Sequence, residues 1–400
     1  MSNKINLHPQ AVENFNNKAE EILLLITEVV SQSINNGFPS EVPSSLSINP
    51  EDIIGDIRSG TVNYLGLITS LDFHINGKDF ELAEENIESF HKLCKNLQRI
   101  DEINTKLSIN FINEKLHEWL NLKLKNPNFS TTWCDFLGSG GADKLQKVKT
   151  WRPIDNLEVR VPVKIAESEI CSLSKEAFQK WQEMLKLEAE KKGVEYSSDA
   201  LDILKSKYLG RAAVISHFNA EPKLIKEMSL KLAKRYTSIF AIYSGATRIP
   251  DYKCSSKVKG TENIDSYSII SKQHNNLAYS REILDEETSM PWQLNTRIIR
   301  QIKKHSLNII SNLLCKDELS EFETKVLNFV ELYSKSAFTS DPLEKLVFVL
   351  SALESTLLKS DNEYVQSNLA DRVAMFIGES PDEKKHIVTT VKKVYKSRSD

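Results

Sequence analysis

The stretch DPLEKLVFVLSALESTLL, residues 341–358, carries the clearest fold signal in this chain. Asp341 belongs to a residue type that caps helix N-termini, and Pro342 follows it at the first helical position, where no backbone N–H is needed for the helix. Apolar residues then recur at helical spacing, at Leu343, Val347, Leu350 and Leu357. This pattern predicts an amphipathic helix that packs one face against a core.

Three further helices with similar signals flank this one between residues 318 and 400. Ser320 precedes Glu323 by three residues, which is a capping box, and Ser380 precedes Glu383 in the same way. Gly378 lies at the expected end of the third helix. The apolar stripes of the three helices are Phe322, Val326, Phe329 and Tyr333; Val365, Leu369, Val373 and Phe376; and Ile387, Val391 and Val394. Short connections between such helices predict an antiparallel four-helix bundle.

The rest of the chain shows helical periodicity with a small β element. The predicted helices span residues 9–36 (ending at Gly37), 78–125, 174–192, 221–243 and 293–314. Apolar residues alternate in LEVRVPVKI, residues 157–165, which predicts a strand, and Pro162 would place that strand at a sheet edge. The glycine-rich DFLGSGGADK, residues 135–144, predicts a loop. Residues 245–292 show no assignable period.

These patterns predict a mainly α protein, α+β overall, with the four-helix bundle at its C-terminal end. A length of 400 residues suggests two or three domains. We expect a helical N-terminal region (1–130), a mixed α/β middle region (131–317) and the bundle (318–400).

The composition describes a soluble globular protein. Hydrophobic residues make up 40% and charged residues 27%, and the net charge of −3 excludes a protein that binds nucleic acid through bulk positive charge. The apolar runs are too short to span a bilayer. Five scattered cysteines without a C-x-x-C pair favour reduced thiols, so we expect a cytoplasmic protein with no membrane association.

Two charged residues interrupt the apolar stripes of the bundle. Glu354 lies between Leu350 and Leu357 on one helix, and Arg398 follows Val394 by four residues on another. A buried carboxylate or guanidinium is unfavourable unless it finds a partner. One interpretation is structural: the two residues form an ion pair, or Arg398 extends past the end of its helix. The other interpretation is that they belong to a functional site.

Residues 343–400 resemble the Apea-like branch of the HEPN superfamily. The matching elements are SALESTLL (351–358), LADRVAMFIG (369–378) and VKKVYKSRSD (391–400), and the resemblance covers roughly residues 318–400. It implies RNA cleavage without a metal or other cofactor, in a toxin-like effector of anti-phage defence. It also implies a homodimer, because two active-site motifs of this family meet across a dimer.

The family motif consists of an Arg, a polar residue and, four to six residues after the Arg, a His. The resemblance assigns the Arg to Arg398, which would stabilise the phosphorane charge, and the polar position to Ser399 or Asp400. We take Arg398, Asp400 and Glu354 as the candidate catalytic residues. No His follows, so we expect that the chain was cut or lost its end inside the motif, and that it is inactive as it stands.

Lysines concentrate on the last helix of the chain. Lys392, Lys393 and Lys396 are either ordinary complements of a helix C-terminus or the local RNA-binding patch that an acidic protein needs. The missing His favours a second interpretation, a non-catalytic RNA-binding or dimerisation module. A third places an unrelated activity in the N-terminal region. The RNA target, the trigger and the role of residues 1–317 stay open.

Overall fold

The computed structural model describes residues 7–29, 70–258, 268–272, 276–280, 292–316, 318–358 and 364–399. Helices predominate in these residues and the strands form small sheets, which confirms the predicted mainly α, α+β class. The chain divides into two compact units, Met1–Gln146 with Asn219–Leu224, and Lys147–Phe218 with Ile225–Asp400. Residues 131–317 and 318–400, predicted as separate regions, thus lie mainly in one unit.

The first unit combines a three-stranded antiparallel sheet with a helical core. Its elements are α1 (Pro9–Leu24), β1 (Thr27–Val29), β2 (Leu71–Ile75), β3 (Lys78–Leu82), α2 (Glu84–Gln98), α3 (Asp101–Asn104), α4 (Ile109–Lys125) and α5 (Trp133–Lys144). The sheet order is β1-β3-β2. Phe90, Trp119 and Trp133 are fully buried between the helices. The core of this unit is therefore large and aromatic.

Two helix predictions in this unit are partly wrong. The helix predicted over 9–36 ends at Leu24, because Thr27–Val29 pairs with β3 instead; its predicted end at Gly37 lies outside the described residues. The helix predicted from residue 78 starts only at Glu84. Asn76 and Gly77 both have positive φ and form the two-residue turn that folds β3 back onto β2.

The predicted glycine-rich loop at 135–144 is also wrong, because these residues belong to helix α5. Thr132 caps this helix by accepting a hydrogen bond from the Asp135 N–H. A Cβ at Gly140 would lie 3.2 Å from the Lys115 side chain on α4, so glycine permits a close approach of the two helices. Burial of Trp133 and Leu137 outweighs the low helix propensity of the glycines, about 1 kcal/mol each.

The second unit begins with an α/β region. Its elements are β4 (Gln146–Pro153), β5 (Leu157–Val159), β6 (Val163–Ile165), β7 (Ser168–Ser172), α6 (Lys175–Lys192), α7 (Asp199–Tyr208), β8 (Ala212–Ala220), α8 (Pro222–Ala241), β9 (Ser268–Lys272), β10 (Asn276–Ser280), β11 (Trp292–Leu294), α9 (Thr296–Ile302) and α10 (Asn308–Leu314), the last two joined by a π-helical turn, Lys303–Leu307. A six-stranded sheet has the order β10-β9-β4-β8-β7-β6, and β5 pairs with β11. The helices predicted over 174–192 and 221–243 are confirmed, and the helix predicted over 293–314 starts at Thr296, because Trp292–Leu294 pairs with β5 as β11.

The single strand predicted over 157–165 is wrong in one respect. Pro162 separates two short strands, because proline has no N–H to give to a ladder. β5 pairs in parallel with β11, whereas β6 pairs with β7 at the edge of the six-stranded sheet. The predicted edge position next to Pro162 is thus correct for β6.

The unit ends with α11 (Glu321–Lys335), α12 (Pro342–Leu357), α13 (Val365–Ile377) and α14 (Pro381–Ser399). These four helices appear where the capping signals predict them. α12 contacts α11, α13 and α14, and the closest pairings are α11 with α12 and α13 with α14.

Two further expectations from the sequence concern the cysteines and membrane-spanning helices. All five cysteines are free, as the absence of paired spacing predicts. No helix in the described part of the chain combines the length and apolar character needed to cross a membrane.

Lys345 on α12 ties the C-terminal helices to the segment that follows α8. It is only 6% exposed, and its Nζ donates to the carbonyl oxygens of Ala246 at 2.5 Å, Ile249 at 2.7 Å and Tyr252 at 2.5 Å. Burial lowers the pKa of Lys345, and the nearby Asp251 carboxylate opposes that shift. All three ammonium donors are therefore used to hold one loop.

We predict that Lys345→Met lowers the free energy of unfolding by about 2–4 kcal/mol, because three carbonyl groups lose a charged donor in a buried place. Urea unfolding measures the change. The matched control is Lys325→Met, which removes an ion pair with Glu321 and should change stability by less than about 1 kcal/mol. Equal effects of the two substitutions would contradict a special role for Lys345.

Candidate functional site

Side-chain caps fix the starts of α11 and of α12, the helix that carries Glu354. Ser320 Oγ accepts from the Glu323 N–H, and the Glu323 carboxylate accepts from the Ser320 N–H at 3.0 Å, so the predicted capping box is present. The hydrogen bond of Glu323 with Lys316, followed by those with Ser320, lowers the pKa of Glu323 to about 2. Asp341 accepts two backbone N–H bonds at the start of α12.

A tight corner joins α13 to α14. α13 ends at Gly378, as predicted, and a Cβ there would lie 2.7 Å from the Ala374 carbonyl oxygen, so only glycine fits. Ser380 Oγ accepts from the Glu383 N–H at 3.2 Å, which is the serine half of the second predicted capping box. The Glu383 carboxylate accepts from the Glu379 N–H instead of completing the box.

Glu354 faces α14 rather than solvent. Its residue is half-buried on α12, and the Tyr395 hydroxyl on α14 donates a hydrogen bond to its Oε1. The position of Glu354 within the apolar stripe indicated an inward direction, but its partner was not identified from the sequence. Tyr395 directly follows Val394 of the α14 stripe, and this adjacency was the available signal.

Arg398 lies in the last turn of α14. It follows Tyr395 by three residues, a spacing that puts two helical positions on the same face. Its backbone position is therefore on the side of α14 that carries the partner of Glu354. The side chain of Arg398 and the whole of Asp400 lie outside the described residues.

The three candidate RNA-binding lysines form an exposed surface of α14. Lys392, Lys393 and Lys396 are all exposed, and the 3.6-residue period places them opposite Val391 and Val394. α14 thus separates a basic outer face from an inner face that packs against α12 and α13.

Arg372 is a further polar contact that sequence reasoning missed. Its Nη1 donates to the Leu357 carbonyl oxygen at 2.5 Å, so α13 caps the C-terminal end of α12 one turn beyond Glu354. Gln366 on α13 similarly donates from Nε2 to the Lys392 carbonyl oxygen at 2.9 Å. These two bonds hold α13 to both helices that carry candidate residues.

Some residues of the predicted apolar stripes are exposed, which corrects that part of the sequence analysis. They are Phe322, Leu343, Val347 and Phe376. Leu350, Leu369 and Val373 of the stripes are buried as predicted, and the helices also bury Leu327, Val330 and Ala370, which lie outside the stripes. Phe376, 70% exposed, continues with exposed Met375 and Ile377 into an apolar end of α13. We call Met375–Ile377 the α13 apolar end.

Comparisons with known proteins found no family model, no curated protein and no solved structure that matches this chain.

Proposed function

We propose that α11–α14 form a HEPN-like module that binds RNA and, with a complete motif, cleaves it. The observation that supports this most directly is the hydrogen bond from Tyr395 to Glu354. It turns a carboxylate toward the helix that carries Arg398, at the position where the resemblance expects the catalytic motif. The exposed lysines of α14 supply the local positive charge that RNA binding by an acidic protein requires.

The proposed chemistry needs few protein groups. RNA provides its own nucleophile, the ribose 2′-hydroxyl, which attacks the adjacent phosphorus while the 5′-oxygen leaves. The Arg398 guanidinium would stabilise the negative charge that develops on the phosphorane, since its planar fork contacts two phosphate oxygens at once. Glu354 would act as a positioning residue through Tyr395. Proton transfer would require the motif His, four to six residues after Arg398.

A second candidate function is a non-catalytic RNA-binding or dimerisation module, which the exposed lysines of α14 would also serve. Single-stranded RNA incubated in EDTA distinguishes the two. We expect the chain of residues 1–400 to bind RNA and cleave it slowly or not at all, and a chain lengthened so that a His follows Arg398 by four to six residues to cleave without metal. Binding without cleavage by both proteins would support the second function, and no binding by either would contradict both.

A homodimer through the C-terminal helices is part of the proposal. Exposed apolar side chains grouped on a folded protein are typical of an interaction site, and the α13 apolar end exposes three of them in its last turn. A second copy of this chain is the expected occupant, because the family resemblance requires two motifs for one complete site. The setting we propose is the cytoplasm, in an anti-phage defence effector, in keeping with five free cysteines.

We predict that Phe376→Asp converts the dimer into a monomer at micromolar concentration, because a carboxylate would be buried without a partner in the interface. Molar mass from light scattering after size exclusion measures this. The matched control is Leu187→Asp, which adds the same charge at an exposed apolar position of α6 and should leave the dimer intact. A monomeric parent protein would overturn the proposed dimer.

A further inference from the structure

A cavity of about 510 Å³ lies in the second unit. Its walls are α8, the segment 253–258, the corner between α11 and α12, and the first two turns of α12. Its described lining contains no residue of α13 or α14, so the cavity is distinct from the proposed RNA surface. Cavities of this size typically hold one small molecule.

Charges of opposite sign lie on different walls of this cavity. Lys234 on α8 and Lys335 in the last turn of α11 contribute ammonium groups, and Glu344 in the first turn of α12 contributes a carboxylate. Within the described part of the chain, neither of these lysines takes part in an ion pair. Lys253 and Lys257 also belong to the lining, but each already has an interaction partner. A site with both signs of charge favours a ligand that itself carries both.

Hydrogen bonds in the walls fix the Glu344 carboxylate and leave it able to accept a further bond. Its Oε2 accepts from Thr339 Oγ1 at 2.5 Å, and Thr339 Oγ1 accepts from the Asp341 N–H at 3.1 Å. Oε1 of the same carboxylate can still accept from a ligand. Thr237 Oγ1 on α8 donates to the Ala233 carbonyl oxygen at 2.9 Å, so it offers a ligand only its lone pairs. These groups suit a ligand that donates hydrogen bonds, such as an ammonium group.

Aromatic surface completes the lining. Phe338 follows α11, and Phe348 lies four residues after Glu344 on α12; both rings are half-buried. Residues four apart share one face of a helix, so α12 contributes its carboxylate and its ring from the same side. Aromatic rings pack favourably against apolar side chains and, with specific geometry, against other rings. The lining therefore combines cationic, anionic and apolar groups.

Backbone and side-chain bonds join the walls of the cavity. The Cys254 N–H donates to the Ala337 carbonyl oxygen at 2.6 Å, which connects the segment 253–258 to the α11–α12 corner. Lys345 holds the loop that precedes this segment through its three carbonyl contacts. Walls held in this way lose little entropy when a ligand binds.

We propose that this cavity binds a free α-amino acid with an apolar side chain. The carboxylate of the amino acid lies against Lys234 and Lys335, its ammonium group against Glu344, and its side chain against Phe338 and Phe348. The proposal is independent of RNA binding and cleavage by α11–α14, so either can fail without the other. A short apolar peptide carries the same three kinds of group with its charges farther apart, and the test separates it from the amino acid.

The first experiment is calorimetric titration of the chain of residues 1–400 with L-phenylalanine and four related compounds. Phenylalanine amide lacks the carboxylate, N-acetylphenylalanine lacks the ammonium group, glycine lacks the side chain, and the dipeptide Phe-Phe separates the two charges. We expect L-phenylalanine to bind most tightly. The amide and the N-acetyl compound should each bind about tenfold or more weakly, because each loses a charged contact.

Glu344→Gln tests the carboxylate against a matched control. The variant should lose about tenfold or more in affinity for L-phenylalanine, and its affinity for N-acetylphenylalanine should stay that of the parent, since this compound has no ammonium group to lose. The control is Glu190→Gln, at an exposed position of α6 outside the cavity, and it should bind both compounds as the parent does.

Lys234→Gln with Lys335→Gln tests the two ammonium groups. This variant should bind L-phenylalanine about tenfold or more weakly and phenylalanine amide unchanged. The control is Lys231→Gln with Lys180→Gln, two exposed lysines outside the cavity, and it should bind as the parent does. Thermal unfolding shows whether each variant folds, and where one does not, the comparison of the five compounds on the parent protein decides.

Four results would overturn the proposal. They are a parent that does not bind L-phenylalanine at millimolar concentration, amide and N-acetyl compounds that bind as tightly as the free amino acid, and test variants that bind L-phenylalanine as their controls do. The fourth, tighter binding of Phe-Phe than of L-phenylalanine, would assign the cavity to a peptide instead.

Discussion

Replacing Arg398 by Ala is expected to lower the rate of RNA cleavage by about 10²–10³-fold, in a protein lengthened at its C-terminus so that a His follows Arg398 by four to six residues. The proposed phosphorane carries negative charge that the reactant does not, so a positioned guanidinium stabilises the transition state more than the bound RNA. RNA affinity should fall far less than the rate. Single-turnover digestion of single-stranded RNA in EDTA measures the rate apart from binding.

Two further variants test the reason for this effect. Arg398→Lys should also be slow, because an ammonium is a point charge that cannot contact two phosphate oxygens in the plane of a fork. Lys385→Ala, which removes an exposed cation from the same helix, should cleave at nearly the parent rate. The catalytic assignment fails if Arg398→Ala cleaves as fast as Lys385→Ala does.

The second large effect is expected from the basic face of α14. Substitution of Lys392, Lys393 and Lys396 together by Gln should weaken binding of single-stranded RNA about 10- to 100-fold at low salt. The slope of log affinity against log salt should become shallower by about 2, because the variant neutralises fewer phosphates and so releases fewer counterions on binding. Fluorescence anisotropy of labelled RNA across a salt series measures both quantities.

A charge-matched control separates this surface from net charge. The control removes three exposed lysines of α6, Lys175, Lys180 and Lys191, by the same change to Gln. It should leave both affinity and salt slope close to those of the parent. Equal losses in the two triple variants would show that RNA responds to overall charge and not to the α14 face.

The candidate site was only partly predictable from the sequence. The period of the apolar stripe indicated that Glu354 points inward, because side-chain direction in a helix follows from spacing alone. Its partner Tyr395 is 41 residues away, and the α12–α14 contact that brings them together is tertiary.

Local signals by themselves determined the helices of residues 318–399. Ser320, Asp341 and Gly378 act within one or two turns of their own position, so their effect does not depend on the rest of the fold. The same holds for Pro162, which has no N–H to give to a ladder and separates β5 from β6. These residues decided where the elements begin and end.

Tertiary structure alone decided where burial outweighs local helix propensity and which helix faces are buried. Residues 135–144 form a helix despite three glycines, because burial of the apolar residues of α5 outweighs propensity. Phe376 is exposed although its stripe predicts burial, because α13 meets its neighbours through other positions. Burial depends on which elements come into contact, and a helical period indicates a face without indicating what that face will meet.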